Sequence, residues 1–135
     1  MKAILDTSFL IELKRNNKLA VKVLEERKKT SEDLLVSSLT IFELLSGAHY
    51  LIKKHKNTTE LKIIQNMLQF LTEAIIDSKV TWKAAETRAE LMIQGTSVPD
   101  IDLLIACSED AEVLTFDKNF EPLKELGFNI QILQK

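Results

Sequence analysis

The sequence predicts one α/β domain: a mostly parallel sheet of about five strands between two layers of helices. Three observations predict this three-layer α/β/α fold. Short apolar segments alternate with longer segments of helical periodicity along the chain. The first of these segments is uniformly apolar, as are strands buried on both faces of a parallel sheet. A length of 135 residues and an apolar fraction of 45% suit a single domain over residues 1–135.

Five short runs are predicted to be strands. The first, beginning at Ala3, stops at Asp6, and the second is closed by Ser37 and Ser38. The last run alternates between apolar and polar residues, so we expect it at an edge of the sheet. The predicted strands cover residues 3–5, 34–36, 74–76, 112–115 and 128–132.

Helices are predicted between these strands because apolar residues recur at intervals of three and four. Asn16 and Asn17 divide the first helical region in two, and Gly95 and Gly127 are typical of the ends of later helices. The predicted helical regions cover residues 7–29, 41–55, 59–71, 80–93, 97–107 and 119–126.

Composition excludes several classes of protein. The single cysteine excludes an intramolecular disulfide framework and a multi-cysteine zinc site. No apolar run approaches the ~18 residues of a membrane span, and no signal peptide is visible. We therefore expect a cytoplasmic protein with no membrane association.

Charge is distributed unevenly along the chain, although the net charge is only −2. Residues 1–67 contain 12 basic and 8 acidic side chains, whereas residues 68–135 contain 6 basic and 12 acidic ones. The basic clusters of the first half are either solvated helix faces or a surface that attracts phosphate groups. Lys14 and Arg15, about two turns past Asp6, are candidates for contact with such a substrate.

Acidic residues follow or flank the predicted strands. Asp6 follows the first strand, Glu43 lies near the start of the helix after the second, and Asp117 comes shortly after the fourth. Asp100 and Asp102 open the helix that precedes the fourth strand. Ligands of parallel sheets bind at the carboxyl ends of the strands, where the strand order reverses. Carboxylates gathered there repel one another unless a cation lies among them, and oxygen ligands favour Mg²⁺ or Mn²⁺.

Most of these acids also have a purely structural interpretation as helix caps. Asp6 and Asp117 each precede a potential helix, and Ser97 with Asp100 forms a capping pattern. Thr40 with Glu43 fits a capping box. Asp102 is the exception, because it lies inside its helix, where no cap is needed.

Four motifs together resemble the PIN-domain family. They occur in the family's order over essentially the whole chain, and the set is more specific than any one of them. Residues 1–8 (MKAILDTS) resemble its opening strand with Asp and Thr/Ser, and residues 39–48 (LTIFELLSGA) its second motif. The third and fourth motifs are matched by residues 100–106 (DIDLLIA) and 114–120 (LTFDKNF). A small departure from the pattern is Cys107, where the family often has alanine.

This resemblance, which is nearest to the VapC-like toxins of toxin–antitoxin pairs, implies a metal-dependent endoribonuclease. By position, Asp6, Glu43, Asp102 and Asp117 would be its catalytic carboxylates and would hold one or two Mg²⁺ or Mn²⁺ ions. Asp100 matches an auxiliary acid of some members. The resemblance also implies a homodimer and an antitoxin protein partner. The small polar residues that would support the carboxylates are Thr7, Ser8 and Thr115.

Two other functions share the same sequence features. The first is a PIN nuclease of housekeeping RNA processing, and the second is a non-catalytic PIN scaffold that binds partners. A scaffold is expected to have lost one or more acids, and all four are present. Trp82, at the start of a predicted helix, is expected to pack in the core or in an interface.

Overall fold

A five-stranded, all-parallel sheet forms the centre of the computed structural model, which describes residues 2–30 and 33–134. The strand order is β3-β2-β1-β4-β5, so the longest strands lie inside and β3 and β5 form the edges. The predicted fold class is confirmed, and the ends of the predicted domain, Met1 and Lys135, lie outside the described residues. The strands are β1 (Lys2–Leu5), β2 (Asp33–Ser37), β3 (Thr72–Ala74), β4 (Glu112–Thr115) and β5 (Ile130–Ile132).

Within the described residues, seven α-helices and one 3₁₀ turn connect the strands. Asp6, Asn17, Ser37 and Asp77 each accept a backbone N–H at the start of a helix, which satisfies donors that the helix itself cannot. Among the described residues, no helix is both long and apolar enough to cross a membrane. The helices are α1 (Thr7–Lys14), α2 (Lys18–Lys29), α3 (Ser38–His55), α4 (Thr59–Leu68), α5 (Ser78–Ile93), α6 (Asp100–Ala106) and α7 (Glu121–Glu125), and the 3₁₀ turn covers Lys118–Phe120.

Alternation of side chains along the strands divides the core into two layers. Ala3 and Leu5 of β1 pack with α1 to α4 on one face of the sheet. Ile4, between them, packs with α5 to α7 on the other face. Phe9 and Phe120 are fully buried on opposite sides. The sheet is therefore covered on both faces, and its strand ends are where polar chemistry can be placed.

Several predicted boundaries differ from those in the structure, among them the bounds of the third strand and the start of α3. The third strand ends at Ala74 rather than beginning there, and Ile75 of the predicted strand is 68% exposed. The next residue, Ile76, is partly buried and packs against the core layer formed with α5 to α7. Helix α3 begins at Ser38 and is capped by Ser37, whose side chain accepts the Leu39 N–H at 3.1 Å. The capping box expected of Thr40 and Glu43 is consequently not the start of this helix.

Candidate active site

The carboxyl ends of β1 and β4 lie side by side at the centre of the sheet, where the strand order reverses. The chain passes from β1 to β2 and β3 on one side, whereas β4 and β5 lie on the other. The first residue after β1, Asp6, donates its backbone N–H to the Leu114 carbonyl at 3.1 Å. In open parallel sheets, a reversal of this kind forms a crevice suited to ligands.

Asp6 lies at the bottom of this crevice with only 3% of its surface exposed. Its Oδ2 accepts hydrogen bonds from the hydroxyls of Ser8 and Thr115, each at 2.7 Å, and from the Ser8 N–H at 3.3 Å. Burial raises the pKa of Asp6, and these hydrogen bonds oppose that rise. Asp6 thus caps α1 and also belongs to a polar network. The contacts from Ser8 and Thr115 all fall on Oδ2 and so fix the orientation of the carboxylate.

The network around Asp6 has a defined direction. The Phe116 N–H donates to Ser8 Oγ at 3.0 Å, and the Asp117 N–H donates to Thr115 Oγ1 at 2.9 Å. Each of these two hydroxyls accepts a hydrogen bond from a backbone N–H after β4 and donates its own hydrogen bond to Asp6. Hydrogen bonds linked in this way strengthen one another. They favour the ionised form of the carboxylate that accepts both hydroxyl hydrogen bonds.

Glu43 reaches the crevice from the second turn of α3. The Thr7 hydroxyl lies 2.9 Å from Glu43 Oε1 and 3.0 Å from Thr40 Oγ1. Thr7 therefore links the start of α1 to α3 and orients Glu43. This role of Thr40, which is fully buried, is not predicted by the sequence motifs. The available signal was its position one helical turn before Glu43, which places both side chains on one face.

Asp102, on α6, is half-buried and shares the electrostatic environment of the other three acids. Burial raises its pKa to about 7, and the charges of Asp6, Asp117 and Glu43 contribute to that rise in decreasing order. Four segments of the chain thus bring four carboxylates into one neighbourhood. The pKa of Asp102 is therefore raised towards neutrality in the absence of a cation, and a bound divalent cation would favour its ionised form.

Asp117 combines two contacts. Its Oδ1 accepts the Asn119 N–H at 2.9 Å and so caps the 3₁₀ turn, as the structural interpretation expected. Its backbone N–H, bonded to Thr115, fixes its position relative to Asp6. Capping and membership of the acidic group are therefore compatible.

Two of the remaining predicted residues lie away from this group. Asp100 is exposed and forms an ion pair with Arg88 of α5, with 3.6 Å between Oδ1 and Nε. Lys14 forms an ion pair with Glu60 of α4. Arg15, in contrast, lies on a groove beside the carboxylates together with Ser8 and Asp117.

The donor chemistry of the four acids fits a hard divalent cation. All potential ligands are carboxylate oxygens, which Mg²⁺ and Mn²⁺ prefer. Within residues 2–30 and 33–134, no three His, Cys, Asp or Glu side chains stand close enough together to hold an ion as they are. Because like charges repel, an ion would have to draw the acids closer. Asp6, Glu43, Asp102 and Asp117 are the residues that would hold it.

Comparisons with known proteins bear on the family and the fold of this chain. A family model described as the PIN domain matches residues 3–126. A comparison with curated protein sequences finds no match. The fold is similar to a chain of VapBC2 from Rickettsia felis, solved bound to a DNA fragment from its promoter, with TM-score 0.85 and 22% identity over 99% of this chain and 100% of that one.

Two further solved structures have the same fold. DNA-bound VapBC from Salmonella typhimurium contains a chain with TM-score 0.80 and 25% identity over 98% of both chains. VapBC-1 from nontypeable Haemophilus influenzae gives a TM-score of 0.79 and 23% identity, also over 98% of both chains. The likeness therefore extends over the whole described chain.

Proposed function

Since its match to the family model places this chain in the PIN-domain family, a family of nucleases, we propose that it is a Mg²⁺- or Mn²⁺-dependent endoribonuclease. The observation that carries the proposal is the set of four carboxylates at the reversal of strand order. One of them, Asp6, is fixed by two hydroxyl donors at 2.7 Å. RNA as the substrate and a divalent cation as the cofactor belong to the proposal.

The protein's part in the reaction is to hold acidic ligands in place. One or two divalent ions bound by Asp6, Glu43, Asp102 and Asp117 would activate water and offset charge on the scissile phosphate. Ser8 and Thr115 restrict the rotation of the Asp6 carboxylate. Thr7 orients Glu43, which would act as a ligand or as the base that positions water. Such supporting contacts typically change metal affinity by about 10–100-fold.

Mn²⁺ calorimetry tests this proposal without knowledge of the RNA target. We expect the parent to bind Mn²⁺, whereas Asp6→Asn and Asp102→Asn lose binding and keep their folded circular dichroism spectra. Asp100→Asn is the matched control, because it removes a carboxylate from the same helix at a position paired with Arg88. Equal loss in Asp100→Asn, or no binding by the parent, would reject the assigned site.

Cleavage is tested on total cellular RNA with the same proteins. The parent is expected to cut when Mn²⁺ is added and to stop when EDTA is added, and Asp102→Asn is expected to be inactive. If the parent binds Mn²⁺ but cuts no RNA, the non-catalytic scaffold gains support.

We further propose that this nuclease is the toxin of a toxin–antitoxin pair acting in the cytoplasm. The support is that the similar folds come from VapBC complexes. Expression in a bacterium should arrest growth, and Asp102→Asn should abolish the arrest. A housekeeping processing enzyme would instead leave growth unchanged and alter a specific RNA. The antitoxin partner is testable by co-purification with the protein encoded next to it.

A homodimer is also part of the proposal, and the outer face of α5 supports it. Trp82, Met92 and Ile93 on this helix are 73%, 70% and 82% exposed. Helical spacing places them with the exposed Ala85 and Ala89 on one stripe opposite the buried side of α5. Large residues at both ends and small ones between them allow two antiparallel copies to interlock about a two-fold axis.

Sedimentation analysis tests this surface. Trp82→Glu is expected to convert a dimer into a monomer, because it places a charge in an apolar contact. Ile75→Glu changes another apolar residue of similar exposure, 68%, and should leave the dimer intact. A monomeric parent, or a dimer that survives Trp82→Glu, would remove the α5 stripe as the interface.

A further inference from the structure

A groove of about 340 Å³ opens beside Asp117 and beside Ser8, whose hydroxyl donates to Asp6. One wall is a single face of α1, and the other is the segment that follows β4. Its volume is at the lower end for small-ligand sites, which suits one nucleotide rather than a larger molecule. The lining residues are Ser8, Ile11, Glu12, Arg15, Phe116, Asp117 and Lys118.

Glu12 anchors the wall formed by α1. It is only 7% exposed, and a carboxylate this deeply buried requires charged or hydrogen-bonding partners. Its Oε2 accepts from Arg15 Nη1 at 3.1 Å, and its Oε1 accepts from Asn17 Nδ2 at 3.2 Å. The Asn17 side chain also caps α2. Glu12 is thereby held at both oxygens and fixes the Arg15 guanidinium, whose side chain is 64% exposed, at the groove.

Phe116 provides an aromatic surface on the opposite wall. Its ring stacks on Phe9, with 5.9 Å between centroids and 30° between planes. Its backbone N–H donates to Ser8 Oγ, the same hydroxyl that donates to Asp6. The aromatic wall is therefore tied to the network around Asp6. Phe116 is half-buried, and the adjacent Lys118 is exposed.

We propose that this groove binds the nucleotide next to the scissile phosphate, with its base between the Phe116 ring and the Arg15 guanidinium. The inference rests on the proposed ribonuclease function. Single-stranded RNA is commonly held by bases stacked on aromatic rings and guanidinium planes, with cations near the backbone. Lys118 provides the cation near the phosphate. Glu12 is a positioning residue that acts through Arg15.

An acidic protein segment is the other class of molecule that two cations could attract. Such a segment gains little from an aromatic wall, whereas a base uses the wall and the cations together. The combination of Phe116, Arg15 and Lys118 in one groove therefore favours a nucleotide.

Two fluorescein-labelled probes separate base contacts from phosphate contacts. One is a twelve-nucleotide oligo(A) RNA, and the other is an abasic strand with the same number of phosphates. Binding is measured by anisotropy in EDTA, so that cleavage does not interfere. The ratio of the abasic Kd to the oligo(A) Kd defines the base preference, and we expect the parent to prefer the strand with bases.

Phe116→Leu and Arg15→Gln are expected to lower this base preference about fivefold or more. The matched controls are Phe70→Leu, which changes an exposed phenylalanine elsewhere, and Lys54→Gln, which removes an exposed positive charge on α3. Both controls should keep the parent's preference.

Glu12→Gln tests the positioning role. It should lower the base preference even if removal of a negative charge tightens binding of both probes. In an Arg15→Gln background it should have no further effect, whereas a merely structural role would add a second loss. Thermal unfolding confirms that each variant is folded.

The outcomes separate this inference from the proposed function. A parent that binds both probes equally, or groove variants that keep its preference, would overturn the inference while Mn²⁺ binding and RNA cleavage uphold the ribonuclease. Displacement of oligo(A) by an acidic peptide, with Phe116→Leu behaving like the parent, would also overturn it in favour of a protein partner. Loss of Mn²⁺ binding in the parent would reject the ribonuclease itself.

Discussion

Replacing Asp102 with asparagine is expected to stabilise the metal-free protein at neutral and alkaline pH. Burial and three neighbouring negative charges raise the pKa of Asp102 from 3.8 to about 7 in the fold. An acid with a raised pKa is harder to ionise when folded than when unfolded. Its contribution therefore lowers the free energy of unfolding progressively as pH rises from about 4 to 7. Asparagine has a similar shape and carries no charge, so this penalty disappears.

The size of the effect follows from the two pKa values. A difference of about three pKa units corresponds to roughly 4 kcal/mol, which is a ceiling. Asp102 is only half-buried, and solvent screening reduces the value, so we expect about 1–2 kcal/mol at pH 8. For a domain of this size, that difference raises the Tm by about 4–8 °C.

Urea unfolding followed by circular dichroism at pH 4 and pH 8, with EDTA present, measures this difference. Parent and Asp102→Asn should be equally stable at pH 4 and differ at pH 8. Millimolar Mn²⁺ should then stabilise the parent alone, because only the parent keeps the full ligand set. Asp100→Asn removes an exposed ion pair and should change stability by less than about 1 kcal/mol at either pH.

Equal stability of Asp102→Asn and the parent at pH 8 would contradict this expectation, since it would mean that the charges of the other acids do not affect Asp102. A gain in unfolding free energy of the same size at pH 4 would also contradict the expectation, because the gain would then come from packing rather than from charge.

Other expected outcomes concern the supporting structure. Thr115→Val removes one hydroxyl donor from the buried carboxylate and should weaken Mn²⁺ binding about tenfold in calorimetry, with the fold retained. Gly127→Ala should destabilise the protein by about 1 kcal/mol or more in urea unfolding, because φ is +99° there. Gly47→Ala, inside α3 with nothing within 4 Å of an added Cβ, should instead stabilise it by up to about 1 kcal/mol. Phe120→Ala should lower the unfolding free energy by about 3–5 kcal/mol, since its ring is fully buried. A Mn²⁺ affinity or an unfolding free energy equal to that of the parent would contradict the corresponding expectation.

The inner strands of the sheet and the acids that follow them were predictable because a local sequence pattern marks each of them. Asp6 interrupts an apolar run at the point where β1 ends, and Asp117 does the same just after β4. β3 was misplaced because it is a three-residue edge strand with two exposed positions, so its sequence has little pattern to detect. Of the two isoleucines that follow it, Ile75 faces outward and Ile76 packs against the core.

Side-chain partners were less predictable, because they depend on which elements meet. Asp100 and Asp102 look equivalent in the sequence, yet the helix directs one toward Arg88 and the other toward the acids. In the sequence, Glu12 resembles an ordinary surface glutamate. Its role depends on the fold, in which α1 and the segment after β4 line one groove. The sequence pattern indicated that Thr40 is a helix cap. Because α3 begins at Ser38, Thr40 lies inside the helix and contacts the Thr7 hydroxyl instead.

The hydrogen bond between Thr115 and Asp6 joins residues 109 positions apart in the chain. During translation, Asp6 is made early, but the hydroxyl that orients it arrives only with β4. Pairing of β1 with β4 is a long-range step that must follow this synthesis. A growing chain attached to the ribosome therefore lacks the assembled crevice while residues 112–117 are still unmade. The topology would therefore delay assembly of the proposed active site until most of the chain has been made.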